Sequence, residues 1–134
     1  VTLGNGNVTA VYAASDSTAV VHCGGLVMGD GSELTISADT GEAITVTQGY
    51  HSVDTYGDAS SDDLKTINGG VTGAIIILRA ADSARTVVVK HYHDGGNIAL
   101  DGQADFSLTH AWDRIVLQWH GDVWVQLSAS NNLA

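Results

Sequence analysis

Lys90-His91-Tyr92-His93 is the densest cluster of titratable side chains in the sequence, with two histidines one residue apart. On a β-strand alternate side chains share a face, so Val87, Val89, His91 and His93 would line one side and Val88, Lys90 and Tyr92 the other. Two imidazoles so placed could hold one metal ion. A closed site needs about four ligands for zinc and about six for octahedral iron, and no Cys or Glu pair stands ready to complete the set. Three copies around a three-fold axis would supply the missing imidazoles. The alternative, which we prefer, places His91 and His93 near a strand end, hydrogen-bonded or solvated, with no metal and no cofactor. As a catalytic pair they lack a nucleophile and a partner acid. The chain has no Gly-x-Ser-x-Gly elbow and no oriented Cys–His pair, so it reads as non-enzymatic.

The remaining polar motifs are weaker. Gly4-Asn5-Gly6-Asn7 lacks the third glycine and following helix of a dinucleotide site and reads as a turn. The Gly-rich run from Gly24 to Ser32 has no lysine to hold a phosphate. Asn7-Val8-Thr9 matches a glycosylation sequon, a pattern common by chance. Asp101 and Asp105 bracket a segment that could form a weak calcium loop, but the simpler reading is a solvated turn. The single cysteine, Cys23, permits no internal disulfide and reads as a small buried residue beside Val20 and Val21.

Charge narrows the partners. Fifteen acidic residues against five basic ones give a formal net charge of -10, which repels nucleic-acid phosphates and anionic membrane surfaces. Apolar runs such as Ala74–Leu78 fall far short of a membrane span, and nothing near Val1 resembles a signal peptide. No nucleic acid and no membrane are therefore expected as partners.

The elements that must position these residues are strands. A chain of 134 residues, 44% hydrophobic, suits one domain with a real core. It has 16 glycines and no proline, so its turns must rely on Gly, Asn and Asp. Leu34 and Ile36 alternate with polar neighbours, as do Ile44 and Val46, and Asp39-Thr40-Gly41 between them predicts a hairpin. Ala74–Leu78 predicts a strand covered on both faces. Ile98 and Leu100 predict a short strand with those side chains inward, and Phe106 and Leu108 predict the next strand. Ile115, Leu117 and Trp119 lie on one face of a strand that turns through His120-Gly121-Asp122 into Val123–Leu127. One segment breaks the rhythm: Ser60 or Ser61 as N-cap, Asp62 and Asp63 in a first turn and Asn68-Gly69 as a stop predict one short helix around Asp62–Ile67. The sequence shows no clear internal repeat. The fold class expected is all-β, an antiparallel β-sandwich or jelly-roll-like subunit with one short helix.

The ordered run from "VDTYGDASSDDLKTINGGVTGAIIILRAADSARTVVVKH" through "GNIALDG" and "ADFSL" to "DRIVLQWHGDVWVQLS" resembles the C-terminal β-rich module of tailed-bacteriophage virion structural proteins. The resemblance covers about residues 53–128 of the single domain 1–134. The sequence departs from that pattern at His93-Asp94, where the family has a small Gly/Thr turn, at His120-Gly121 and at Gln126. The resemblance implies a non-enzymatic homotrimeric subunit located in the virion. On one reading it is a capsid cement, or decoration, protein on the capsid exterior, with the major capsid protein as partner. On the other it is a tail-fibre or tail-spike tip that binds a host surface receptor. The length favours the first. Trp112, in the His110–Asp113 loop, is the candidate contact residue, against the plainer expectation that it packs under the adjacent turn.

Overall fold

The computed structural model describes Asn7, Val11 and residues 18–38 and 42–132. The turn expected at Gly4–Asn7 (apart from Asn7), the last two residues of the sequon and the Asp39-Thr40-Gly41 turn lie outside the described residues. The strands are β1 (Leu34–Thr35), β2 (Ala43–Thr45), β3 (Tyr50–Asp54), β4 (Ser61–Leu64), β5 (Thr66–Asn68), β6 (Ile75–Ala80), β7 (Thr86–Val89), β8 (Ile98–Ala99), β9 (Phe106–Leu108), β10 (Arg114–Trp119) and β11 (Trp124–Ser130). They form a six-stranded sheet ordered β1-β3-β6-β10-β11-β8, a two-stranded sheet β2-β5 and a three-stranded sheet β4-β7-β9. The protein is all-β, as the strand-sized runs predict.

The chain winds around its core. β1, β3 and β6 lie parallel in the first sheet, β2 and β5 in the second, and β4 and β7 in the third. Each pass lays its strands beside those of the pass before, at an offset of roughly 25 residues. The winding then reverses: β9 runs antiparallel to β7, β10 to β6 and β11 to β10, while β8 pairs in parallel with β11 at the far edge. Pairing is thus mixed, where the sequence predicts mostly antiparallel pairing. Parallel neighbours are distant in sequence, so no hairpin turn between them marks the pairing. β1 and β2 join different sheets instead of forming a hairpin, and the Ser37 N–H to Ala43 carbonyl bond (3.1 Å) and the Ala43 N–H to Ser37 Oγ bond (3.1 Å) tie their ends.

The helix expected around Asp62–Ile67 is two strands, β4 and β5, meeting at a corner on Lys65. Leu64 and Ile67 are three apart, the spacing that imitates a helical face, but each packs inward from a different wall: Leu64 aligns with Val89 and Ile67 with Ile44. Asp62 caps a different element. Its carboxylate accepts the Tyr56 N–H (2.9 Å), at a single 3-10 turn over Tyr56–Asp58. The other helical turns among the described residues are 3-10 turns at His93–Gly95 and Asp101–Gln103.

The buried side chains form one cluster that includes Ile36, Ile44, Val53, Leu64, Ile67, Leu78, Val87, Ile98, Leu108, Ile115, Leu117 and Trp124. Burying each Ile or Leu contributes about 1.5–3 kcal/mol before entropy is charged against it. Ile98 and Leu100 point inward as predicted, Ile115 and Leu117 are buried on one face, and the β10–β11 hairpin forms with Trp119 opposite Trp124. β6 differs from expectation: Ile76, Leu78 and Ala80 are buried, whereas Ile75 is exposed and Ile77 and Arg79 are half-buried. Only one face of the strand is covered. Where β5 ends, the Asn97 amide stands in for a missing strand, accepting the Ile67 N–H and donating to the Ile67 carbonyl, each at 2.9 Å. The Trp124 indole N–H donates to the same carbonyl (3.0 Å).

Candidate contact surfaces

β7 ends at Val89, so His91 and His93 do not share a strand face as the sequence predicts. They lie in a turn where Tyr92 (φ 41°) and Asp94 (φ 48°) adopt left-handed backbone and reverse the chain. Each histidine is held locally. His91 Nδ1 accepts the Leu100 N–H (2.9 Å), which leaves the ring proton on Nε2, and the His91 N–H donates to Asp105 Oδ1 (2.9 Å). His93 Nδ1 lies 2.9 Å from the Asp94 carboxylate. Asp105 Oδ2 meets Lys90 Nζ at 2.6 Å. The Lys90 hydrogen bond, helped by the His91 N–H, holds the Asp105 carboxyl below the usual carboxylate range, and in turn raises the Lys90 ammonium above its ordinary value. Asp105 is therefore committed to closing the loops on either side of β8. Among the described residues, no three His, Cys, Asp or Glu side chains converge as a metal site would require.

All five cations of the chain are engaged within it. Lys65 pairs with Glu42 and Asp94, Lys90 with Asp105 and Asp63, and Arg85 with Asp54, Asp58 and Asp82. The Glu42 hydrogen bond raises the Lys65 ammonium above its ordinary value. Arg79 donates to the Tyr50 hydroxyl (3.0 Å) and the Ala80 carbonyl (2.9 Å), and Arg114 donates to the Ala111 and Asp113 carbonyls while lying 5.8 Å from the Tyr50 ring centroid. A ligand anion would have to displace an internal partner to reach any of them.

Trp112 is 61% exposed, so it does not pack under its turn. Its ring meets His110 edge to face at 4.9 Å, and its backbone is clamped. The clamp is Asp113, whose side chain is fully buried. Oδ2 accepts the Thr109 N–H (2.8 Å), the Thr109 hydroxyl (3.0 Å) and the His110 N–H (3.0 Å), and Oδ1 accepts the Asn132 N–H (2.8 Å). Burial alone would push this carboxyl up; the hydrogen bonds outweigh it and hold the group below its ordinary value. Asn132 also donates to the Trp112 carbonyl (2.7 Å). A large aromatic is thus presented outward on an ordered loop, the kind of side chain that anchors interfaces.

A second exposed feature is the segment 18–29, which has no regular secondary structure. Val20, Val21, Leu26 and Val27 are all exposed, Val27 at 94%. Cys23, expected to be buried beside the valines, is exposed as well. The segment is rooted at Asp30, which bridges in parallel to Tyr50, and at Gly31, whose N–H donates to the Tyr50 carbonyl (2.8 Å). Gly31 has to be glycine, because a β-carbon there would strike the His51 ring. His51 is fully buried and holds the root: its Nδ1–H donates to the Ser32 carbonyl (2.8 Å), while Nε2 accepts the Thr47 (3.2 Å) and Gln48 (3.1 Å) N–H groups.

Sequence reasoning singled out Trp112 but not His51, Asn97 or Asp113. Asp113 left a faint signal, an Asp four residues after a Thr just ahead of an apolar strand. Asn97 left none, since Ile67 lies 30 residues away, and His51 combines the nearby Thr47 and Gln48 N–H groups with the Ser32 carbonyl 19 residues away, a combination no motif records. A small apolar hollow of about 190 Å³, lined by residues including Val46, Val71 and Trp124, falls below the range of about 300–1,000 Å³ for small-molecule sites. A second, open groove of about 530 Å³ lies beside β11, lined by residues including Leu100, Asp101 and Leu127. No known family model, curated protein or solved structure matches the chain. Fold and surface together define an all-β protein with an exposed apolar segment, an outward tryptophan and no unengaged cation.

Proposed function

We propose that the protein is a non-enzymatic structural component of a tailed-phage virion, acting as a cement protein on the capsid exterior and assembling as a homotrimer. The observation that carries this reading is the exposed segment 18–29, with Val20, Val21, Leu26 and Val27 uncovered by their own chain. Exposed apolar clusters of this kind mark surfaces that another molecule covers. If association fully buries these four side chains, the gross gain is about 6–12 kcal/mol before ordering costs, at about 1.5–3 kcal/mol each. The motif order of residues 53–128 supports a virion module, and the charge of -10 suits an outer surface that must not bind nucleic acid. Capsid binding is tested by mixing the purified protein with capsids that lack it and sedimenting them. Saturable co-sedimentation with a raised capsid melting temperature is expected; absence of binding refutes the reading.

The alternative, a tail-fibre or tail-spike tip that binds a host receptor, is favoured by the exposure of Trp112 on its clamped loop. It predicts co-purification with tails and binding to host cells that Trp112→Ala abolishes.

A further inference from the structure

The six-stranded sheet has an open flank. β8 pairs with β11 only at Trp124 and Val125, so beyond Val125 the outer edge of β11 has no strand partner among the described residues. Beside that edge runs a shallow groove of about 530 Å³, formed by Ala99, Leu100, Asp101 and Val125–Ala129. Val125 and Leu127 are exposed along it. An unpaired row of backbone N–H and C=O groups flanked by apolar side chains is a template for one more extended strand.

The same chain carries such a strand. Residues 18–29 hold no charged side chain, and neither do residues 123–132. In a chain of net charge -10, two copies repel wherever acidic surfaces face each other, and these two uncharged stretches can meet without that cost. We propose that the segment 19–28 of one copy adds as an edge strand to β11 of a second copy, covering Leu127 with Val20, Val21, Leu26 or Val27. The contact joins two different surfaces, so it is heterologous, and such contacts close into rings when the rotation between copies allows. Arm and edge are about level: Tyr50, at the root of the arm, lies in register with Ile77, Ile77 with Val116, and Val116 with Ser128. From Asp30 to Cys23 the chain spans at most roughly 25 Å when extended. That length also reaches its own β11, four strand spacings or about 19 Å from Asp30. In the structure, however, the segment lies exposed and off its own sheet.

This inference rests on the homo-oligomeric part of the proposed function, and the test separates the two. Cys23 is the chain's single cysteine and sits mid-segment, exposed. Gln126→Cys, Ser128→Cys and Ser130→Cys variants, each in the full chain, are oxidised and run on non-reducing gels, with disulfide-linked peptides identified by mass spectrometry. Wild type and Cys23→Ala versions serve as controls, and sedimentation gives the oligomeric state. Expected are intermolecular crosslinks from Cys23 to at least one β11 position, absent in the Cys23→Ala controls, and dissociation of the oligomer in Leu127→Glu, an exposed substitution that leaves folding intact. A trimer without these crosslinks overturns the arm exchange and leaves the assembly reading standing. A crosslink within one chain, or equally strong Cys23–Cys23 crosslinking in wild type, overturns the exchange. A monomer overturns both.

Discussion

Replacing Asp113 tests whether one buried carboxylate organises the loop that presents Trp112. The residue is fully buried and accepts four hydrogen bonds, three on Oδ2 and one on Oδ1. Asp113→Asn keeps size and shape. Its side-chain oxygen can face the Thr109 and His110 donors, which turns the new amide N–H groups toward the Asn132 N–H, donor against donor. One charge-assisted bond is lost and the others become neutral, so the cost is about 2 kcal/mol. Asp113→Ala removes the acceptor from all four donors, though Thr109 and Asn132 are exposed enough for water to replace part of it; about 3–4 kcal/mol is expected. For a domain of this size each kcal/mol lowers Tm by about 3–5 °C, giving losses of about 8 °C and 14 °C at pH 7. The pH dependence supplies the sign. The folded-state carboxyl titrates below its unfolded value, so its stabilisation is complete above the unfolded pKa of about 4 and is lost as pH falls through the folded one. The gap between wild type and Asp113→Asn should therefore narrow on acidification below about pH 4. Urea denaturation followed by tryptophan fluorescence between pH 7 and pH 2.5 measures it. An Asn variant as stable as wild type at pH 7, or a gap that does not close in acid, refutes the reasoning.

Asn97→Ala leaves the Ile67 N–H without its partner while Trp124 still serves the carbonyl, so a loss of about 2 kcal/mol is expected in denaturant titration, and Asn97→Asp should recover less than half of it. Trp112→Ala should change stability by less than about 0.5 kcal/mol, because the ring is exposed, and, on the proposed function, should weaken binding to capsids or host cells in a pull-down. The double variant His91→Ala, His93→Ala should lose only about 1 kcal/mol, the value of the Leu100 N–H to His91 bond, and elemental analysis of wild type should find no stoichiometric metal; zinc or iron at a fixed ratio to the chain, lost in the variant, would reverse that.

Strand content was legible in the sequence because alternation is a local property. Whether Leu117 or Gln118 faces inward depends on neighbours one and two residues away, and β10, β11, β8 and β9 form where their apolar periods place them. The sequestration of charge was half legible: fifteen acids to five cations lead one to expect acidic partners, but only Lys65, Lys90 and Arg85 find them, while the winding brings Arg79 and Arg114 to Tyr50 and to backbone carbonyls. What the tertiary structure alone decided was pairing between distant segments. Leu64 and Ile67 carry a helical spacing, yet become strands because Val89 and Ile44 offer backbone partners from other passes. His91 and His93 alternate as strand residues should, yet the strand stops at Val89 and left-handed backbone at Tyr92 turns them into a loop. Asn97 owes its role to Ile67, 30 residues away, and His51 and Asp113 each join local donors to one partner 19 residues away. A hydrogen bond across that distance leaves no period in the sequence, since periodicity records which face a residue takes and carries no information about what will stand opposite it.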